Sequence, residues 1–253
     1  MKGCFISEIT HEDCAKVINE DTIIVLPIGC GTKEHGSHLP MATDFYVVEW
    51  MAKQITEKFN VVTLPTLPYA YFPAFPNWKG TVSVSAKNMV NVVRDIILNF
   101  QKFGVWKFLI IDNGVATHFP LIAMARDMNN DYGIKVAVTN CVGLRKDTDY
   151  LLEQKSGGHG DESETSCMLF VRGDLVRMDK AVEDYDPFHL PGTNVGGVTK
   201  VFFPRRMATK SGANGNSKLA TAEKGETIMW AKVNDILEFL EFFEGFTKAD
   251  IER

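Results

Sequence analysis

The sequence predicts an α/β fold built on a largely parallel central sheet. Two observations carry the prediction: apolar strand-like runs recur along the chain, and the stretches between them show helical periodicity. Helices between apolar strands imply crossover connections, so the strands run parallel and their carboxyl ends share one edge. A third observation sets the scale. The chain has 253 residues, 45% hydrophobic and 23% charged, which is enough for a large core and ordinary for a soluble globular protein. One domain spanning residues 1–253 is the simplest account, since no repeat, low-complexity tract or linker interrupts it.

The first strand covers residues 22–29, where Ile23-Ile24-Val25-Leu26-Pro27-Ile28 forms a continuous apolar run. Asp44 begins the first helix, with Val47, Val48, Met51 and Ile55 inward. A second strand occupies 61–67. Residues 68–78 then hold three prolines and five aromatics, too much proline for a helix or a central strand. They form an ordered loop, either an aromatic lid over a site or a plug at a subunit contact. A helix from about 86 to 103 follows, started by Ser85 and stopped by Gly104, with Met89, Val92, Val93, Ile96, Ile97 and Phe100 on one face. Strands at 107–112 and 134–139 complete the sheet. Residues 184–226 are loop-rich, and a final amphipathic helix runs from about 226 to 243, with Ile228, Val233, Ile236, Leu237, Leu240 and Phe243 apolar.

Composition narrows the function classes. The net charge is −5, lysines and arginines are scattered, and Arg205-Arg206 is the sole adjacent arginine pair, which argues against nucleic acid or an anionic membrane as partner. No apolar run approaches the roughly 20 residues of a membrane span. Five cysteines lie far apart without a paired motif, and Met1-Lys2-Gly3-Cys4-Phe5 lacks a signal-peptide core, so a reducing, cytoplasmic setting is expected. Cys30 reads as a small packing residue rather than a nucleophile, since nothing local would hold its thiolate.

The most informative run is Glu34-His35-Gly36-Ser37-His38-Leu39-Pro40, followed by Asp44, directly after the first strand. Two imidazoles and two carboxylates within eleven residues suit Zn²⁺ or Mn²⁺, and a carboxylate such as Asp44 can bridge two ions. The spacing matches neither H-E-x-x-H nor C-x-x-C. A second cluster runs from Gly157 through His159, Asp161, Glu162, Ser163 and Glu164 to Ser166 and opens a helix capped by Asp161 or Ser163. Glu162 and Glu164 in its first turn fit capping as well as chemistry, whereas His159 beside them is not explained by capping. A third element, Asp112-Asn113-Gly114-Val115-Ala116-Thr117-His118, follows the third strand, with His118 either a helix-start histidine or a ligand over the sheet edge.

Taken together, Leu26-Pro27-Ile28-Gly29, the Glu34 to Pro40 run with Asp44, Gly80-Thr81-Val82-Ser83, His159 with Glu162, Glu164, Thr165 and Ser166, and Ala220-Thr221-Ala222-Glu223-Lys224-Gly225 resemble the creatininase (creatinine amidohydrolase) family from about residue 26 to 225. The resemblance implies a three-layer α/β/α fold, metal-dependent hydrolysis of an amide C–N bond, and a homo-oligomer, commonly a hexamer. It makes His35 and Asp44 metal ligands, with Asp44 bridging, and Glu164 a further ligand. It gives His159 the task of polarising the substrate or moving a proton. Two departures stand out. The family has one residue between its first acid and its metal histidine, whereas Glu34 adjoins His35 and the loop is longer near Gly31. The family's Asn-Gly-His is here Asn113-Gly114-Val115, which leaves His118 as the histidine available to replace the missing ligand.

The resulting expectation is a Zn²⁺- or Mn²⁺-dependent amidohydrolase, dinuclear if His118 serves. A metal-activated water would cleave a cyclic or small linear amide, and His159 or Glu34 would hand a proton to the leaving nitrogen. The rival is a non-catalytic binding or assembly protein that kept the fold after losing one metal position. In that case His118 points away from Asp44.

Overall fold

The sheet is assembled from both sides of its first long strand. The computed structural model describes residues 2–185 and 209–248, with the backbone of 194–195 and 198–199. Within them, β1 (Cys4–Phe5), β2 (Ile23–Ile28), β3 (Val62–Thr63), β4 (Lys107–Asp112) and β5 (Lys135–Val138) form a parallel sheet in the order β1-β3-β2-β4-β5. Ile24 pairs with Val62 on one side and Phe108 on the other, and Ile28 lies opposite Asp112. The helices are α1 (His11–Val17), α2 (Thr43–Lys58), α3 (Ala86–Gln101), α4 (Val115–Tyr132), α5 (Glu162–Arg172) and α6 (Ala222–Glu244).

Alternation along the central strands creates the three layers. Ile23 and Val25 of β2, with Leu109 and Ile111 of β4, face one way, into a core completed by α2, α5 and α6. Ile24, Leu26 and Ile28, with Phe108 and Ile110, face the other way, against Met89, Val93 and Ile97 of α3 and Leu121, Met124 and Met128 of α4. Both faces are covered, which is why these strands read as unbroken apolar runs. The chain leaves β2 toward β3 by way of α2, and leaves β4 toward β5 by way of α4. The direction of winding therefore reverses between β2 and β4, and a crevice opens at their carboxyl ends.

Several expected boundaries shift for local reasons. The strand predicted at 61–67 pairs regularly only at Val62–Thr63. Pro65 cannot donate to the ladder, and the chain touches the sheet again at Leu67, whose N–H donates to the Pro27 carbonyl at 2.9 Å. The last helix begins at Ala222 rather than near 226, because the Thr221 side chain accepts the Lys224 N–H at 3.2 Å and caps it. The short β1 and the polar α1, which buries none of its residues, carried no sequence signal. Of the loop-rich stretch expected over 184–226, residues 186–193, 196–197 and 200–208 lie outside the described residues.

Helices α5 and α6 cross at Gly225, where a Cβ would come within 1.9 Å of the Ser166 carbonyl oxygen. Gly225→Ala must push the two helices apart, and overpacking of this kind costs about 1–3 kcal/mol, more than alanine's helix preference returns. Thermal denaturation should show a lowered midpoint; an unchanged one would mean that the crossing yields without cost.

Candidate metal and catalytic site

The loop after β2 delivers the first half of the site. It is pinned by the Lys33 N–H donating to the Met41 carbonyl at 3.0 Å, and by the 80–83 segment. There Thr81 Oγ1 accepts the Glu34 N–H at 3.1 Å, and the Val82 N–H donates to the Thr32 carbonyl at 2.9 Å. His35 is fully buried. Its Nδ1 lies 2.9 Å from the Lys33 carbonyl, an arrangement that leaves Nε2 directed inward, 3.2 Å from Asp44 Oδ1. Asp44 sits in the first turn of α2, where the helix N-terminus favours a carboxylate. Asn113, from the loop after β4, donates Nδ2 to Asp44 Oδ1 at 3.3 Å, so the two central strands meet at this residue.

The second half comes from the start of α5. Asp161 caps the helix by accepting the Glu164 N–H at 2.9 Å. His159, on the approach to it, places Nε2 3.1 Å from Glu34 Oε2 and Nδ1 3.9 Å from Glu164 Oε2. The two halves interlock closely. Gly160, at φ +53, leaves no room for a Cβ beside the His35 carbonyl, and its N–H donates to Glu164 Oε2 at 2.6 Å. Glu34 also accepts the Gly36 N–H.

Of the residues singled out in the sequence, His35, His159 and Glu164 are brought together, with ligand atoms all within 4.8 Å of one another. Two imidazoles and a carboxylate fit a Zn²⁺ or Mn²⁺ ion by donor chemistry. Glu34 is held against His159 rather than in that group. Asp44 adjoins His35, but its other oxygen, Oδ2, is engaged by the Lys33 ammonium at 2.6 Å. His118 lies in the first turn of α4, and its Nδ1 is 3.2 Å from the Thr139 carbonyl. It takes no part in the converging group found among the described residues. Glu162 is structural. It is buried, accepts the Glu153 and Gln154 N–H groups at 2.9 and 2.8 Å, and pairs with Lys224 at 2.6 Å. Buried Cys30 has a thiol raised by burial, as befits a packing residue.

Lys33 was not singled out in the sequence, and Asn113, Thr165 and Phe75 were named there only as parts of motifs or of the aromatic segment, without roles of their own. Thr165 Oγ1 lies 2.8 Å from His38 Nε2 and orients that imidazole, whose burial depresses its pKa to about 4, so it is neutral at pH 7. The Phe75 ring lies tilted against His159 at 4.2 Å between centroids, which places the 68–78 segment against the site. For Lys33 a signal was present: a lysine set among acids and imidazoles in a loop that leaves a buried strand.

Electrostatics distinguish the acids. Burial would raise the Asp44 carboxyl, but Lys33 and His35 outweigh it and hold Asp44 below the ordinary carboxylate range. Glu164 behaves likewise: burial opposes its charge, and His35, His159 and Lys33 keep it ionised. Burial lowers the His159 pKa, against a smaller opposing pull from Glu34. At the end of β4, Asp112 is raised to about 7, chiefly by burial, although Thr117 and Gly114 donate to its Oδ1. A carboxyl that holds its proton in the folded state while the unfolded chain releases it loses stability as pH rises from about 4 to about 7. Asp112→Asn keeps the Oδ1 acceptor and removes this titration. Urea denaturation between pH 4.5 and 8 should show a flatter stability profile for the variant, and parallel profiles would place the Asp112 pKa in the ordinary range.

Comparison with known proteins agrees with this architecture. The creatinine amidohydrolase of Pseudomonas putida is 26% identical over 94% of this chain and 96% of its own length. The 3-dehydro-scyllo-inosose hydrolase of Thermotoga maritima is 22% identical over 94% of this chain and 82% of its own. A creatininase variant of Zn-Zn type superposes with a TM-score of 0.79 at 25% identity, covering 97% of this chain and all of that one. The family model for creatininase, described as creatinine amidohydrolase, matches residues 7–240, and the chain therefore belongs to the creatininase family of hydrolases.

Proposed function

We propose that the protein is a metal-dependent amidohydrolase that cleaves the C–N bond of a cyclic or small linear amide. The observation that carries the reading is the convergence of His35, His159 and Glu164 at the carboxyl edge of the sheet, beside a Glu34 and His159 pair. An ion held there would polarise a carbonyl and lower the pKa of a water. The chain's own residues do the rest. Glu34, fixed by Gly36 N–H and His159 Nε2, would as a carboxylate take a proton from the attacking water and pass it to the departing nitrogen. Phe75 shields the His159 face from water, and Lys33 supplies a fixed positive charge beside Asp44. Zn²⁺ and Mn²⁺ are the ions proposed, in a homo-oligomer of the cytoplasm.

The second reading, a non-catalytic binding or assembly protein, is favoured by His118, which is bonded to the Thr139 carbonyl, and by the exposed, ligand-free Val115. Hydrolysis of a panel of cyclic amides, formamides and short peptides separates the two. Protein loaded with Zn²⁺ or Mn²⁺ should cleave at least one class, and chelation should abolish the cleavage. A protein that binds metal and cleaves none belongs to the second reading. Light scattering after size exclusion reports the assembly state independently.

A further inference from the structure

We infer that the Lys33 ammonium stands in for a second cation at Asp44 and confines the chain to one metal position, formed by His35, His159 and Glu164. Lys33 Nζ lies 2.6 Å from Asp44 Oδ2, and both side chains are nearly sealed from solvent, at 8% and 1% exposure. The ammonium also lies over the Phe72 and Phe75 rings, at 5.1 and 5.6 Å from their centroids, so apolar faces close its outer side. It cannot swing away cheaply, because a buried lysine without a counter-ion is strongly disfavoured.

The surroundings leave a second ion little to bind. Asp44 Oδ1 accepts the Asn113 amide at 3.3 Å and lies 3.2 Å from His35 Nε2, and Oδ2 is ion-paired with the Lys33 ammonium. His118 is turned to the Thr139 carbonyl, and Val115 supplies no donor. Charge points the same way. The carboxylates of Glu34, Asp44 and Glu164 are matched by one ammonium and one divalent ion, and another divalent ion would sit against Lys33 in a low-dielectric pocket with its charge uncompensated. Lys33 is thus a positioning residue: it fixes Asp44, which in turn meets His35.

The inference rests on the metal site of the proposed function, and its test is kept apart from hydrolysis. Wild type and Lys33→Glu, each shown folded by circular dichroism, would be dialysed against ZnCl₂ or MnCl₂ and analysed by elemental mass spectrometry. Lys33→Glu removes the cation and adds an oxygen donor, so it should retain about one metal equivalent per chain more than wild type. Equal content in the two proteins, or two equivalents in wild type, overturns the inference. If Lys33→Glu does not fold, Lys33→Gln is compared by thermal shift. Added Zn²⁺ should raise its midpoint more than that of wild type, and an equal shift overturns the inference. Absence of amide cleavage alongside the expected metal difference would count against the hydrolase reading alone.

Discussion

Asp44→Ala should unfold at markedly lower denaturant than wild type, by about 3–5 kcal/mol, because it strands the Lys33 ammonium in a sealed pocket with its nearest counter-charge gone. The same change frees His35 Nε2 from its 3.2 Å partner, so hydrolysis should fall with stability. A second substitution separates the two effects. In the double variant Asp44→Ala with Lys33→Met, the buried charge is removed along with its partner, and most of the stability should return while activity does not. Urea denaturation of the four proteins completes the cycle. Stability that stays lost in the double variant would show that Asp44 acts through its helix-start position and not through Lys33.

Glu164→Ala should have the largest effect on metal retention. It removes the only carboxylate in the converging group and leaves His35 and His159 as the remaining donors. Loss of partners that merely orient ligands costs roughly 10–100-fold in affinity, and loss of a direct donor should exceed that. The fold should survive, since Glu164 is partly exposed and Asp161 is the residue that caps α5. Equilibrium dialysis with Zn²⁺ reads the affinity, and circular dichroism reads the fold. Affinity within a few-fold of wild type would move the site elsewhere, with Asp44 and His118 the next donors to change.

The layers of this fold were legible because β2 and β4 are buried on both faces and so carry unbroken apolar runs, while α2 and α3 show their buried faces as periodicity, although Val92, read onto the α3 face, is exposed. The elements that were missed lack either signal. β1 is two residues long, and α1 is seven residues long and buries none of them. The site was legible as two clusters of titratable residues, and the family resemblance joined them. What remained hidden was which contacts the loop would select. The sequence showed Glu34 pressed against His35 and a longer loop near Gly31; it did not show that this register carries Lys33 onto Asp44 and sends Glu34 to His159. Glu162 and Glu164 differ by two positions in one helical turn, and only packing separates the loop anchor from the proposed metal donor.

The interlock of Gly160 with the His35 carbonyl joins loops that are far apart along the chain, and His159 meets Glu34 across 125 positions. Contacts of such separation form only after the intervening segments have been ordered, because the entropy of closing a long loop comes before any contact rewards it. The site is therefore a late event in the life of each molecule, complete only when α5 has docked beside α2. During refolding in the presence of Zn²⁺, secondary structure should appear first and metal capture last, which makes the ion a witness that folding has finished rather than a template that starts it.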